Sequence, residues 1–235
     1  MDIKNIKKEF PIFKQTINGK PLVYLDSANS SQKPKMVIDK ISNFYETEFS
    51  NVGRSVHTLA VKATNRFEAT RDKVQKYLNA KYREEIIFTK GATEAINLVA
   101  SSYGKKYIKK EDEILITELE HHSNYVPWNF LRSEKGAVIK FAQVNKNGDV
   151  EIEEIKKLIT SKTKMIAITH ISNVTGAVLP ITKIVDLAKE KNIPVLIDGT
   201  QGAPHSKIDM QKIGCDFYAI SCHKMYGPNG LGILY

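Results

Sequence analysis

Four short stretches place chemically capable side chains directly after apolar runs. Lys90-Gly91-Ala92-Thr93-Glu94 leads from such a run into a helical pattern. Gly91 lets the backbone approach a ligand closely, and the free amides of a first helical turn, with the Thr93 hydroxyl, make an anion site. The plainer reading is a strand-to-helix turn capped by Thr93. Glu120-His121-His122-Ser123-Asn124 offers an imidazole to face a flat ligand or to carry a proton, or simply a loop histidine satisfied by backbone. Adjacent histidines point in different directions and no third ligand follows at a regular spacing, which argues against a metal. In Leu196-Ile197-Asp198-Gly199-Thr200-Gln201 the apolar run ends on Asp198. That carboxylate needs a cationic or hydrogen-bonding partner, unless it only caps a helix. Ser221-Cys222-His223-Lys224-Met225-Tyr226-Gly227-Pro228 puts a lysine between an apolar run and a Gly-Pro turn. Either it is an exposed turn lysine, or low-dielectric surroundings lower its pKa and make it a usable amine nucleophile.

The elements that must hold these stretches alternate. Glu85–Thr89, Glu113–Thr117, Val138–Val144, Lys164–Ile168, Pro194–Ile197, Phe217–Ser221 and Gly230–Tyr235 read as short apolar strands. Between them lie helical patterns, such as Ile96, Val99, Ala100 and Tyr103, or Ile181, Ile184, Val185 and Ala188. Upstream, Pro34 opens a helix to about Phe49, and a long charged helix runs from about Leu59 to Leu78. Residues 1–33 read as an irregular N-terminal segment with a strand-like Pro21–Leu25. The alternation predicts an α/β three-layer sandwich with a mostly parallel sheet covered on both faces. Working residues of such sheets lie past the carboxyl ends of strands, where all four stretches fall. The chain ends within an apolar strand pattern, Gly232–Tyr235, so residues 34–235 are expected to be a large domain incomplete at its C-terminus.

Composition narrows the class. With 42% apolar and 26% charged residues the chain is that of a soluble globular protein, not a disordered one. The net charge of +9 invites a nucleic-acid reading, but Lys105–Lys110 is followed at once by Glu111-Asp112-Glu113, and elsewhere Lys and Glu interleave as on solvated helix faces. No nucleic-acid partner is expected. No run approaches a membrane span and no signal pattern opens the chain, so neither a membrane partner nor secretion is expected, and the expected location is cytoplasmic. Two cysteines, Cys215 and Cys222, are too few for a disulfide framework or a zinc site.

Taken together, a lysine for a Schiff base, an aspartate for a pyridinium nitrogen and a helix N-terminus for a phosphate are the fixtures of a pyridoxal 5'-phosphate site. The sequence resembles the SUF-type cysteine desulfurases, within the class-V aminotransferase-like, fold-type I pyridoxal-phosphate enzymes. The resemblance rests on Tyr24–Ala28, Val56–Leu59, Thr93–Ala100, Glu120-His121-His122, Val126-Pro127-Trp128, Ile171–Val174, Asp198-Gly199 and His223–Pro228, in family order. It implies the large domain of an aspartate aminotransferase-like fold, with the C-terminal small domain missing. It also implies that Lys224 carries the cofactor and moves protons, that Asp198 holds the ring nitrogen and that Gln201 reaches the ring hydroxyl. His121 would stack on the ring and act as acid or base. Ala92, Thr93, Ser221 and His223 would hold the phosphate, with Asn173 close to the ring.

The implied reaction takes L-cysteine to L-alanine in a homodimer and leaves a persulfide on an enzyme cysteine. An acceptor protein of iron–sulfur cluster assembly then takes the sulfur. The resemblance implies that the nucleophilic cysteine and a substrate-binding arginine belong to a stretch outside this sequence. Cys222 and Cys215 read as packing residues. Lys90-Gly91-Ala92 stands where the family has Arg-Gly-Thr, and Gly53 and Ser55 flank Arg54 where a His and a Gly are typical. The alternatives are a selenocysteine lyase or kynureninase-like enzyme, or a non-catalytic truncated partner protein.

Overall fold

The computed structural model describes residues 2–235. Its centre is a seven-stranded sheet in the order β3-β9-β8-β7-β6-β4-β5. The strands are β3 (Ile87–Thr89), β4 (Glu113–Thr117), β5 (Val138–Ala142), β6 (Thr163–Thr169), β7 (Val195–Asp198), β8 (Phe217–Ser221) and β9 (Gly232–Leu234). Pairings from β5 through β8 are parallel, and β9 is antiparallel to both β8 and β3. The mostly parallel α/β sandwich expected from the alternation is therefore the fold.

Helices cover both faces: α4 (Ala92–Val99), α5 (Lys105–Tyr107), α6 (Val126–Lys135), α7 (Ile152–Leu158), α8 (Ile181–Lys189), α9 (Gly202–His205) and α10 (Met210–Ile213). The two-residue period of the strands divides the core. Leu115, Ile166, Ile168, Ile197, Tyr218 and Ile220 pack with Ile184 and Val185 of α8. Ile114, Ile116, Met165, Ala167, Leu196 and Ala219 pack with Ile96 and Val99 of α4 and with Trp128 of α6.

The N-terminal region departs from the expectation of an irregular segment. Asp2 caps a short helix, α1 (Ile3–Lys8), with its carboxylate accepting from the Lys4 amide at 3.0 Å. A hairpin of β1 (Thr16–Ile17) and β2 (Lys20–Pro21) follows, turned by Asn18 and Gly19 at positive φ. Only Pro21 of the strand-like Pro21–Leu25 lies in a strand, because the apolar residues after it have no sheet edge to join. Two helices close the region, α2 (Lys35–Asn43), ending in a wider turn over Phe44–Glu48, and α3 (Thr58–Leu78).

The chain leaves β4 to one side for β5 and returns to the other side for β6, so the order of connection reverses between β4 and β6. Such a reversal opens a crevice at the carboxyl ends of the strands.

Candidate active site

That crevice is a cleft of about 210 Å³. Every site residue singled out from the sequence lines it: Ala92, Thr93, His121, Asn173, Asp198, Gln201, Ser221, His223 and Lys224.

At one end stands Asp198, the last residue of β7, only 4% exposed. One carboxylate oxygen accepts from the Thr200 amide at 3.0 Å. Gly199 is a packing requirement, since a Cβ there would fall 1.8 Å from the Tyr218 ring beneath it. That ring is fixed in turn by a 2.8 Å hydrogen bond between its hydroxyl and His170 Nδ1. Asp198 thus sits on a rigid floor, aimed at the cleft.

A candidate anion end lies where β8 meets α4. The Ala92 amide donates to the Ser221 hydroxyl oxygen at 2.8 Å, tying the helix start to the strand end. The first intrahelical bond of α4 runs from the Ala95 amide to the Gly91 carbonyl, so the amides before it have no intrahelical acceptor. Gly232 of β9 lies directly beneath Gly91, close enough that a Cβ would meet the Gly91 backbone at 2.4 Å.

Lys224 closes the short turn Cys222–Lys224 after β8. Burial lowers its amine below the usual lysine range, while the carboxylates of Asp198 and Asp26 pull the other way. No acceptor lies within hydrogen-bond reach of its Nζ among the described residues. A half-buried amine that shares a cleft with a buried carboxylate can act as a nucleophile once it has lost its proton.

The imidazole of His121 is oriented by its own turn. The Ser123 amide donates to His121 Nδ1 at 3.1 Å, and the Ser123 hydroxyl lies 2.8 Å from the same nitrogen. An accepting Nδ1 assigns the proton of the neutral ring to Nε2. His223 is held below the ordinary histidine range by burial and by Lys224 and Lys33. Gln201 donates to the Ala28 carbonyl at 2.6 Å, leaving its second amide proton for the cleft.

Several contributors have no role assigned from the sequence, although Ser123, Ile171 and Thr200 fall within stretches singled out in it. Residues 28–33 fold over the lysine turn. The His223 carbonyl accepts from the Ser31 amide and hydroxyl, both at 3.0 Å, and from Lys33 Nζ at 2.8 Å. Asn29, Ser123, Thr169, Ile171 and Thr200 complete the cleft wall. The Thr200 hydroxyl is buried without a partner. The Tyr24–Ala28 stretch marks this neighbourhood in the sequence without giving it a role. Burial pushes the Cys215 thiol up to about 12 and the Cys222 thiol up to about 11, so both are protonated near neutrality, as their reading as packing residues requires. No cluster of three or more metal-ligating side chains occurs among the described residues.

Residues 23–235 match the family described as aminotransferase class-V. A probable cysteine desulfurase from Halalkalibacterium halodurans is 48% identical over all of this chain and 58% of its own length. The S-sulfonic acid form of the Escherichia coli cysteine desulfurase CsdA superposes with a TM-score of 0.89 at 36% identity, over 100% of this chain and 58% of the other. The apo cysteine desulfurase of Thermococcus onnurineus NA1 gives 0.92 at 32% identity, over 99% and 56%. The chain thus spans between 34% and 58% of the curated cysteine desulfurases it matches here. Over the stretch it does span, its fold is shared with solved relatives, and the chain belongs to the class-V aminotransferase family.

Proposed function

We propose that this chain is the cofactor-binding part of a pyridoxal 5'-phosphate-dependent cysteine desulfurase. The observation that carries the reading is the placement of the Lys224 amine and the buried Asp198 carboxylate in one cleft that opens on the start of α4.

The residues fit the cofactor of this family. A helix start whose first amides have no intrahelical acceptor, together with the Ser221 hydroxyl that the Ala92 amide meets, suits the phosphate. The partnerless Thr200 hydroxyl, which lines the same cleft, would offer a further polar contact. Asp198 suits a ring nitrogen that carries a proton. When bound, the cofactor draws electrons from the substrate α-carbon.

The protein's part is to place and to protonate. Asp198, backed by the Thr200 amide, would hold the ring nitrogen and favour a proton on it. Lys224, with its amine lowered by burial, would hold the cofactor covalently and could move protons at the substrate carbon. His121 lines the cleft, and with Nδ1 accepting from the Ser123 amide its Nε2–H would be the proton it can donate during the reaction.

In the overall change the carbon–sulfur bond of L-cysteine breaks and a sulfur–sulfur bond forms on a thiol, giving L-alanine and a persulfide. Cys215 and Cys222 are held protonated by burial, which favours an acceptor thiol other than these two. Transfer of that sulfur to an acceptor protein of iron–sulfur cluster assembly, by a cytoplasmic homodimer, extends the same reading and rests on the sequence resemblance. Borohydride reduction of the protein with pyridoxal phosphate, followed by peptide mapping, is expected to place the pyridoxyl group on Lys224. A label elsewhere, or none, overturns the proposal.

A further inference from the structure

Beneath the His121 turn lies a carboxylate to which the proposed chemistry gives no role. The Glu120 side chain reaches three segments at once. Oε1 accepts from the Thr117 hydroxyl at the end of β4 at 2.6 Å and from the Thr169 amide at the end of β6 at 2.9 Å. Oε2 accepts from Asn124 Nδ2 at 2.6 Å.

Each partner is fixed as a donor by something else. Thr117 Oγ1 already accepts from the Leu119 amide at 3.1 Å, so its proton is free for Glu120. Thr169 offers a backbone amide, which can only donate. Asn124 is oriented by Trp128, whose indole N–H donates to Asn124 Oδ1 at 3.1 Å and leaves Nδ2 facing Glu120. Asn124 and Trp128 are both fully buried, so neither can turn to water instead.

The same Asn124 holds the histidine turn through its backbone, its amide donating to the His121 carbonyl at 2.8 Å. Thr169 and Ser123 are themselves walls of the cleft. Burial pushes the Glu120 carboxyl up to about 8, with Asp198 adding to the rise and the three donors opposing it.

We propose that Glu120 is the positioning residue for His121: it clamps the turn Glu120–Asn124 to the ends of β4 and β6 and so fixes where the imidazole stands over the cleft. His121's part in catalysis rests on the cysteine desulfurase reading; the clamp itself belongs to the protein without cofactor.

Donor matching makes the test specific. In Glu120→Gln the new amide must set N–H against the N–H of Asn124, or against the Thr169 amide. In Asn124→Asp two carboxylates face each other. In the double variant every donor again meets an acceptor. The amide introduced by Glu120→Gln donates to the carboxylate introduced by Asn124→Asp, and Trp128 donates to that same carboxylate. Thr117 and Thr169 then donate to the carbonyl oxygen of the introduced amide. The shapes are unchanged and the charge has only moved across the bond.

At pH 9, where the carboxylate is ionised, each single variant is expected to lower the thermal midpoint of the cofactor-free protein by about 3–9 °C, and the double variant to return to within about 2 °C of the parent. Nitrogen-15 shifts of the His121 ring are expected to report one Nε2–H tautomer in the parent and the double variant, and an averaged ring in each single variant. Pyridoxal phosphate affinity is expected to fall about tenfold in the singles and recover in the double. Additive losses in the double variant, or a His121 tautomer unmoved by the singles, overturn the clamp. A parent protein that takes up no pyridoxal phosphate defeats the functional reading instead, while the unfolding and ring-shift cycle still decides the clamp.

Discussion

Replacing Gly232 by alanine tests whether the anion end of the cleft is as tightly built as the sheet beneath it. In β9, Gly232 pairs with Thr89 on one side and Ser221 on the other, so the strand cannot slide sideways. A Cβ there would stand 2.4, 2.6 and 2.7 Å from Gly91 Cα, C and N, when ordinary contact begins at 3.4 Å. The obstruction is backbone and cannot rotate away, so Gly91 or β9 must move by about 1 Å. Overpacking of this kind costs about 3 kcal/mol, which for a chain of this size lowers the melting midpoint by about 6–12 °C.

The displaced residue precedes the Ala92 amide held by Ser221, so phosphate-end affinity should fall with stability, by about tenfold. Gly176→Ala is the control. Gly176 has φ of +75° and nothing within 4 Å of an added Cβ, so backbone strain is its whole penalty, about 1 kcal/mol or 2–4 °C. Differential scanning calorimetry and a pyridoxal phosphate titration read both variants. If Gly232→Ala melts within about 2 °C of the parent, or no lower than Gly176→Ala, the close approach does not shape the site.

Two further outcomes follow from the cleft. Ser221→Ala removes the acceptor of the Ala92 amide and one hydroxyl of the anion end, and should weaken pyridoxal phosphate binding about fivefold to tenfold while leaving the cofactor-free fold intact by circular dichroism. Because burial disfavours the Lys224 ammonium, the pH midpoint for acylation of Lys224 should lie below the roughly 10.4 of a free lysine. Asp198→Asn should move it further down, because the Asp198 charge favours the ammonium; mass spectrometry of the Lys224 peptide across pH checks both, and an upward move in the variant contradicts the assignment.

Legibility in the sequence follows the range of the forces involved. β4 and β8 match their expected limits because a short apolar run ending on a polar residue leaves little freedom. Asp198 is recognisable for the same reason, as a carboxylate ending a buried run. Helix α1 leaves no such mark, because its six residues are held by the Asp2 cap and bury nothing, so no apolar period accompanies them. The antiparallel course of β3 and β9 is not legible, since an apolar run carries no direction. The Glu120 clamp draws on Thr117, Asn124, Trp128 and Thr169, and no spacing within one segment announces a bond to another.

The strap of residues 30–33 across the lysine turn sets an order of events during synthesis. Its contacts with the His223 carbonyl join positions 190 to 193 residues apart. Closing so large a loop is slow, and little is gained until both ends meet. While the ribosome is still translating the middle of the sheet, the opening stretch has nothing to fasten to. The pocket acquires its cover only after β8 and the turn beyond it have emerged, so a nascent chain should become competent to capture vitamin B6 late and all at once.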